Sequence, residues 1–113
     1  MKILKFRPHL VQQILDGTKT VTWRLFDDKN LMVGDRVELT DSESKEKFAE
    51  AEITKVREKK LGDIEDIDFE GHEKYGSREE MLKHYKEYYG DKVTTDTAIK
   101  MIDFKLMRSR QEI

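Results

Sequence analysis

The stretch Arg36-Val37-Glu38-Leu39-Thr40-Asp41-Ser42-Glu43-Ser44-Lys45 settles which kind of sheet this chain builds. Val37 and Leu39 alternate with polar neighbours, the period of a strand with one face inward. Asp41 to Lys45 reads as a hairpin tip, and Phe48 to Arg57 as the strand that pairs back, anchored by Phe48, Ile53 and Val56. A hairpin joins antiparallel neighbours, whereas a doubly wound parallel sheet needs a crossover helix between them. The apolar parity breaks between Phe48 and Ile53, which points to a bulge of the kind common in barrels. Just upstream, Val33-Gly34-Asp35 marks a tight turn.

Upstream of that hairpin, Lys2 to Phe6 reads as a first strand. Pro8 suits the first turn of a helix, where its missing N–H costs nothing. Leu10, Val11, Ile14 and Leu15 recur at helical spacing, and Gly17 is a C-terminal stop. Residues 20–25 alternate strictly, with Val21, Trp23 and Leu25 on one face and Thr20, Thr22 and Arg24 on the other, so a half-buried strand is expected. Asp27 to Asn30 is polar loop. Residues 61–76 scatter Leu61, Ile64, Ile67 and Phe69 among three glycines and read as short helical turns and ordered loop. Ser77-Arg78-Glu79-Glu80 is a capping box, in which Ser77 and Glu80 would satisfy the first free amides reciprocally. The helix it opens carries Met81, Leu82, Tyr85, Tyr88 and Tyr89 as a stripe and ends at Gly90. Thr97 to Met107 is a last strand with Ile102, Phe104 and Leu106 on one face. Five to six mainly antiparallel strands and two or three helices in 113 residues make an α+β fold. The expectation is one domain over residues 1–113, a small curved sheet or barrel closed by its helices.

Composition narrows the function classes. Charged residues make up 41% and hydrophobic ones 36%, which fits a folded domain with a thin core and a heavily charged surface. The formal charge of −2 argues against avid nonspecific nucleic-acid binding, since phosphate neutralisation supplies most of that affinity. Residues 1–24 are locally different: Lys2, Lys5, Arg7, Lys19 and Arg24 stand against Asp16 alone. That excess is a clue to an anionic ligand only if the fold gathers those residues; otherwise it is part of a mixed solvated surface. No cysteine is present, so disulfide and thiolate chemistry are excluded. His9, His72 and His84 lack ligand-like spacing, so no metal and no cofactor are expected. No apolar run approaches the roughly 20 residues that span a membrane. The first six residues are too short and charged an apolar run for a signal peptide, so a cytoplasmic monomer is expected. One Asn, three Gln and abundant Lys and Glu resemble proteins from hot environments.

The chemistry concentrates in Gly17-Thr18-Lys19-Thr20-Val21-Thr22-Trp23-Arg24. Two hydroxyls and a guanidinium in a row, beside an ammonium, can bind a carbonyl, a phosphate or a nucleobase edge. The same row could instead be the solvated face of an edge strand. Gly17-x-Lys19-Thr20-Val21-Thr22-x-Arg24, then Val33-Gly34-Asp35-x-Val37, Glu73-x-x-x-Ser77-x-x-Glu80-Met81, Tyr88-Tyr89-Gly90 and the strand through Phe104, resemble the ASCH domain pattern in order along nearly the whole chain. That resemblance implies a β-barrel related to the PUA fold, associated with RNA binding. One branch of the family hydrolyses the acetyl amide of N(4)-acetylcytidine with a Lys, a Thr three residues later and a downstream Glu. The resemblance therefore suggests Thr22 as nucleophile, Lys19 as proton acceptor and Glu73 as proton donor, with Glu70 as the competing acid.

On chemical grounds, a threonine hydroxyl needs a neighbouring base. Lysine serves only if burial or a nearby cation such as Arg24 lowers its pKa. A Glu kept protonated by a poorly solvated pocket could protonate a leaving amine, or Arg24 could pair with Glu73 and position it. Lys19 and Thr22 have opposite strand parity, so they converge only if Lys19 precedes the strand proper. Thr20, Arg24, Glu70, His72 and Tyr75 complete the candidate substrate-binding set, with Tyr75 the aromatic best placed for base stacking. His72 could assist proton transfer or be an idle loop histidine, and Trp23 belongs to the core by parity. The expected ligand is an RNA base or a modified pyrimidine nucleoside, and the balance favours an enzyme, an amidohydrolase on N-acylated cytidine. The rivals are a noncatalytic RNA-binding module, RNA cleavage in the same pocket, and a structural partner module.

Overall fold

A computed structural model describes residues 1–107. Strand β1 spans Lys2–Phe6 and buries Leu4 and Phe6. Pro8 starts helix α1, Pro8–Leu15, and Arg7 before it is extended, as a residue preceding proline must be. Strand β2 is Val21–Leu25, β3 Arg36–Asp41 and β4 Lys47–Lys60. Short 3-10 turns follow at Leu61–Asp63 and Asp66–Phe69, then helix α2, Arg78–Tyr89, and strand β5, Ala98–Leu106.

The five strands form one curled half-barrel sheet in the order β1-β3-β4-β5-β2. β3 and β4 pair as the antiparallel hairpin expected of them, and only β1 with β3 is parallel. Phe48 is the extra residue at the expected bulge, because Leu39 pairs with Ala49 and Thr40 with Lys47. A second irregularity between Ile53 and Lys55 lets the long β4 bend from β3 to β5.

Each face of the sheet carries its own core. Leu4, Phe6, Val37, Leu39, Ile53, Ile102 and Phe104 pack under α1 through Ile14. Val21, Trp23, Leu25, Ile99 and Met101 pack on the other face under α2, through Met81 and Tyr85, and under the 61–75 segment. The alternation of β5 divides it between the two, which is why a central strand reads as apolar on both parities. β2 departs from expectation here: Thr22 is buried as well as Val21 and Trp23, so the strand is covered on both faces. Leu15, read as part of the α1 stripe, is exposed. The capping box is realised in part. Ser77 accepts from the Glu80 N–H at 3.1 Å, but the Glu80 carboxylate accepts from the Gly76 N–H at 2.7 Å, one residue earlier than the reciprocal form requires.

The edges of the sheet are β1 and β2. They are bridged by a side chain rather than by a ladder: the Arg24 guanidinium lies over the Phe6 ring at 4.8 Å and donates to the Lys5 carbonyl at 3.0 Å. A slot is left where a closed barrel would have its last pair of strands.

Candidate functional site

That slot is a cavity of about 250 Å³. One wall is the end of β1 and the start of α1, with Lys5, Phe6, Arg7, His9 and Leu10; the other is Lys19 with Thr22, Trp23 and Arg24 of β2. His72, Glu73 and Tyr75 close one end, and His84, Tyr85, Tyr88 and Tyr89 of α2 line the remainder. Consecutive strand residues point to opposite faces, so Thr22, Trp23 and Arg24 share this wall because the strand edge itself forms it. The Phe104 N–H donates to the Thr20 carbonyl at 3.1 Å, so the even residues of β2 face β5. The N–H and C=O groups of Val21, Trp23 and Leu25 therefore turn outward at the edge. Those of Val21 meet the Gly71 carbonyl at 3.1 Å and the Lys19 ammonium at 2.8 Å, and the Leu25 N–H reaches the Tyr89 hydroxyl at 3.5 Å.

Lys19 sits before the strand, which resolves its parity conflict with Thr22. Gly17, at φ 87°, turns the chain out of α1, and the Lys19 N–H donates to the Gln13 carbonyl at 3.0 Å. Its side chain is buried, and its ammonium donates to the Val21 carbonyl and to Glu73 Oε2, each at 2.8 Å. Burial depresses the lysine pKa; Glu73 opposes that, and Arg24 adds a smaller downward push. The direction is the one a lysine base requires.

Glu73 arrives by a different route. Gly71, at φ 74°, lets the loop after the second 3-10 turn lie along β2, where its carbonyl accepts from both Thr20 N–H (2.9 Å) and Val21 N–H (3.1 Å). A Cβ at Gly71 would overlap the Thr20 hydroxyl, so only glycine permits this approach. The docked loop holds Glu73 against Lys19. Burial raises the Glu73 pKa, but His72 and Lys19 outweigh it and the carboxyl is held below its ordinary value. This corrects the expectation of a carboxyl kept protonated by its pocket: the lysine within hydrogen-bond reach stabilises the anion. The expected Arg24–Glu73 pair is also absent, because Arg24 donates instead to Thr22 Oγ1 at 3.2 Å and to the Lys5 carbonyl.

His72 is buried and stacks on Trp23 at 4.1 Å with an interplanar angle of 16°. Its Nδ1 is 2.8 Å from the Glu73 carbonyl and its Nε2 is 3.6 Å from Glu73 Oε1. Burial, reinforced by Lys19, lowers its pKa to about 4, so the ring is neutral at pH 7. Donation from Nδ1–H to the carbonyl leaves the Nε2 lone pair turned toward the carboxyl. Tyr75 lines the cavity and its hydroxyl lies 3.4 Å from that of Tyr85, inside a run of aromatic contacts.

Of the sequence candidates, Lys19, Thr22, Arg24, His72, Glu73 and Tyr75 come together in one cavity, and Thr20 and Glu70 do not. Thr20 packs against Gly71, and Glu70 is exposed. Trp23 serves both core and cavity wall. Arg7, His9 and His84 went unremarked as site residues; the charge excess of residues 1–24 was the one signal pointing to the first. Among the described residues, no group of three or more His, Cys, Asp or Glu is placed to hold a metal ion, and no helix is long and apolar enough to cross a membrane.

No family model and no curated protein matches the chain. Solved structures do. The fold matches that of a protein from Enterococcus faecalis V583 described by the family model DUF984, at TM-score 0.73 and 19% identity over 88% of this chain and 70% of that one. It also matches an ASCH domain from Lactobacillus crispatus, at TM-score 0.65 and 17% identity over 84% of this chain and 68% of that one. An ASCH protein from Zymomonas mobilis follows at TM-score 0.58 and 16% identity, over 91% and 65%. At these identities the likeness is one of fold: the chain has the ASCH-domain fold.

Proposed function

We propose that the cavity binds an RNA base or a modified pyrimidine nucleoside and hydrolyses an exocyclic amide, such as that of N(4)-acetylcytidine. The observation that carries this is the ion pair of buried Lys19 with half-buried Glu73, at 2.8 Å in the cavity that Thr22 lines. One proton shift along that hydrogen bond converts ammonium and carboxylate into a neutral amine and a carboxylic acid. Burial narrows the gap between those states by depressing the lysine. The amine then accepts the Thr22 hydroxyl proton as Oγ1 bonds to the acyl carbon and the carbonyl electron pair moves onto oxygen. Arg24, donating to Thr22 Oγ1, leaves that hydroxyl proton free to point elsewhere. The outward Trp23 N–H, next along the edge from Lys19, is a donor for the developing oxyanion. Collapse breaks the C–N bond and Glu73 protonates the departing cytidine amine, leaving ammonium and carboxylate. A second proton shift from Lys19 to Glu73 frees the amine again, which takes a proton from the water attacking the acyl-threonine. The Lys19 ammonium returns that proton to Thr22 Oγ1 as the ester C–O bond breaks, the acetic acid formed losing its proton to solvent and Glu73 returning its own to Lys19.

The test is chromatographic: the protein incubated with N(4)-acetylcytidine, beside Lys19→Ala and Thr22→Ala. Cytidine release lost in both folded variants is the expected result; release that persists in either removes that residue from the mechanism. A noncatalytic RNA-binding module is the second reading, favoured by the cationic lining. It predicts salt-sensitive RNA binding with no cytidine released.

A further inference from the structure

The charge excess of the first 24 residues is gathered by the fold. Four cations line the cavity, Lys5, Arg7, Lys19 and Arg24, against one carboxylate, Glu73. That carboxylate is engaged by Lys19 at 2.8 Å. Among the described residues, Lys5, Arg7 and Arg24 have no carboxylate within 4 Å. Asp16, the sole acid of the segment, lies outside the cavity, and Asp27, beyond β2, is held by Lys100 at 2.9 Å.

Two of these cations, Arg7 and Arg24, are positioned by contacts with the fold, and Lys5 is exposed beside them. Arg7 is fixed between β1 and Pro8, with its guanidinium over the Tyr88 ring at 4.8 Å. Arg24 lies over Phe6, and its Nε and Nη2 are taken by neutral oxygens, those of Thr22 and Lys5. Lys5 and Arg7 are exposed at the cavity mouth, where their like charges add to the positive potential. Arg24 is partly buried, and drawing a guanidinium out of water without an anion is unfavourable. Aromatic faces and neutral oxygens offset only part of that. The cavity lining therefore carries a net positive charge that an anionic ligand would balance. A carboxylate would meet one guanidinium fork. A phosphate, with about −1.5 to −2 charge and three equivalent acceptor oxygens, matches two guanidinia and an ammonium.

We propose that the ligand of this cavity is a phosphorylated pyrimidine, a nucleotide rather than a nucleoside, with its phosphate on Arg7, Arg24 and Lys5 and its base toward Thr22, Trp23 and the Lys19–Glu73 pair. This rests on the reading of the cavity as a pyrimidine site and names the rest of the ligand. The phosphate is either the monoester of a free nucleotide or, with about −1 charge and two non-bridging oxygens, a diester within an RNA chain, for which the same cations would serve with fewer contacts each.

The chain's single tryptophan lines the cavity, so its fluorescence reports occupancy directly. The probes are cytidine, cytidine 5′- and 3′-monophosphate, inorganic phosphate, and a short oligocytidylate with hydroxyl ends. The expected result is one monophosphate binding at least about 10-fold more tightly than cytidine at low salt. That advantage shrinks as salt rises from about 0.05 to 0.5 M. It falls below about 3-fold in the Lys5→Gln/Arg7→Gln double variant, whose changes lie outside both cores. Oligocytidylate binding at least as tightly as either monophosphate, with the same salt and variant dependence, assigns the phosphate to an RNA chain. Equal affinity for cytidine and its monophosphates overturns the proposal and leaves the pyrimidine site standing. Quenching by inorganic phosphate alone overturns both the proposal and the pyrimidine reading, as does no response to any probe.

Discussion

Two ion pairs hang from the same segment, and they are built inside out relative to each other. Asp68, on the second 3-10 turn, is the buried partner at 1% exposure, and its cations Arg57 and Lys59 are about a third exposed, at 36% and 32%. At the cavity the order reverses: Lys19 is buried at 2% and Glu73 is exposed at 30%. Asp68 also accepts the Glu65 N–H at 2.8 Å, so its charge has a backbone donor besides two partly exposed cations. Burial raises the Asp68 pKa, but the Lys59 and Glu65 hydrogen bonds outweigh it and keep the carboxylate ionised. Burial acts on Lys19 toward neutrality instead. A buried acid met by surface bases is a permanent anion that staples the segment to β4. A buried base met by an acid at a cavity wall is a pair within one proton shift of neutrality, open to a ligand. The segment therefore carries structure at one end and, on the proposed function, chemistry at the other.

Lys19→Met gives the largest separation of the two. Turnover of N(4)-acetylcytidine falls by about 10³-fold, since the hydroxyl loses its base. Thermal melting at pH 7 stays level or rises, because the ammonium no longer has to be dehydrated and Glu73 can turn to solvent. The depressed lysine favours the unfolded state wherever that state binds the extra proton, so wild-type stability rises with pH between the folded value and 10.5. The variant lacks that rise. Unfolding of Lys19→Met at ambient temperature would mean both pairs are staples, and the contrast would collapse.

Asp68→Asn is next, and its effect falls on stability. Urea unfolding at pH 7 shows a loss of about 3 kcal/mol, as for removing the buried partner of an ion pair. The folded carboxyl titrates below its ordinary 3.8, so its contribution is present above about pH 4 and is lost as pH falls through the folded value. Wild type and variant therefore converge in acid. Turnover per folded molecule, measured well below the melting range, is unchanged. A variant that is stable but catalytically dead would show that Asp68 positions Glu73 instead of holding the fold.

The legibility of these features differs for a physical reason. Strands, helices, the Phe48 bulge and the Lys19–Thr22 spacing are local patterns, and the sequence carries them within a few residues. The curled sheet also followed, because a hairpin at 41–45 excludes a crossover there. The Lys19–Glu73 partnership depends on Gly71 docking its carbonyl on the β2 edge, a contact about fifty residues apart whose only local trace is one glycine. For Arg24 the sequence pointed to Glu73 as a partner, and the structure instead has it donate to Thr22 Oγ1 and to the Lys5 carbonyl, which the curl of the sheet places within reach. His84 left no trace, because a histidine on a mostly polar helix looks like any surface residue until α2 is laid along the cavity.

The smallest expected effect comes from the same chemical change as the first, made at the other pair. Lys59→Met removes an ammonium 2.8 Å from Asp68, a shorter contact than the 3.5 Å from Arg57. Distance alone would make it the more important of the two. Its side chain is a third exposed, though, and its ammonium is screened and held in place only at a cost in rotamer entropy. Asp68 keeps Arg57 and the Glu65 N–H, so the buried charge is never left bare. The expected loss in urea unfolding is small at low salt, well below that of Asp68→Asn, and vanishes at about 0.5 M salt, with turnover unaltered. A loss as large as that of Asp68→Asn, insensitive to salt, would show that Lys59 is the indispensable partner and that exposure does not decide the worth of these pairs. In that case Lys19→Met should be read again as the removal of a staple, and the distinction between the two ends of the segment would rest on the cavity alone.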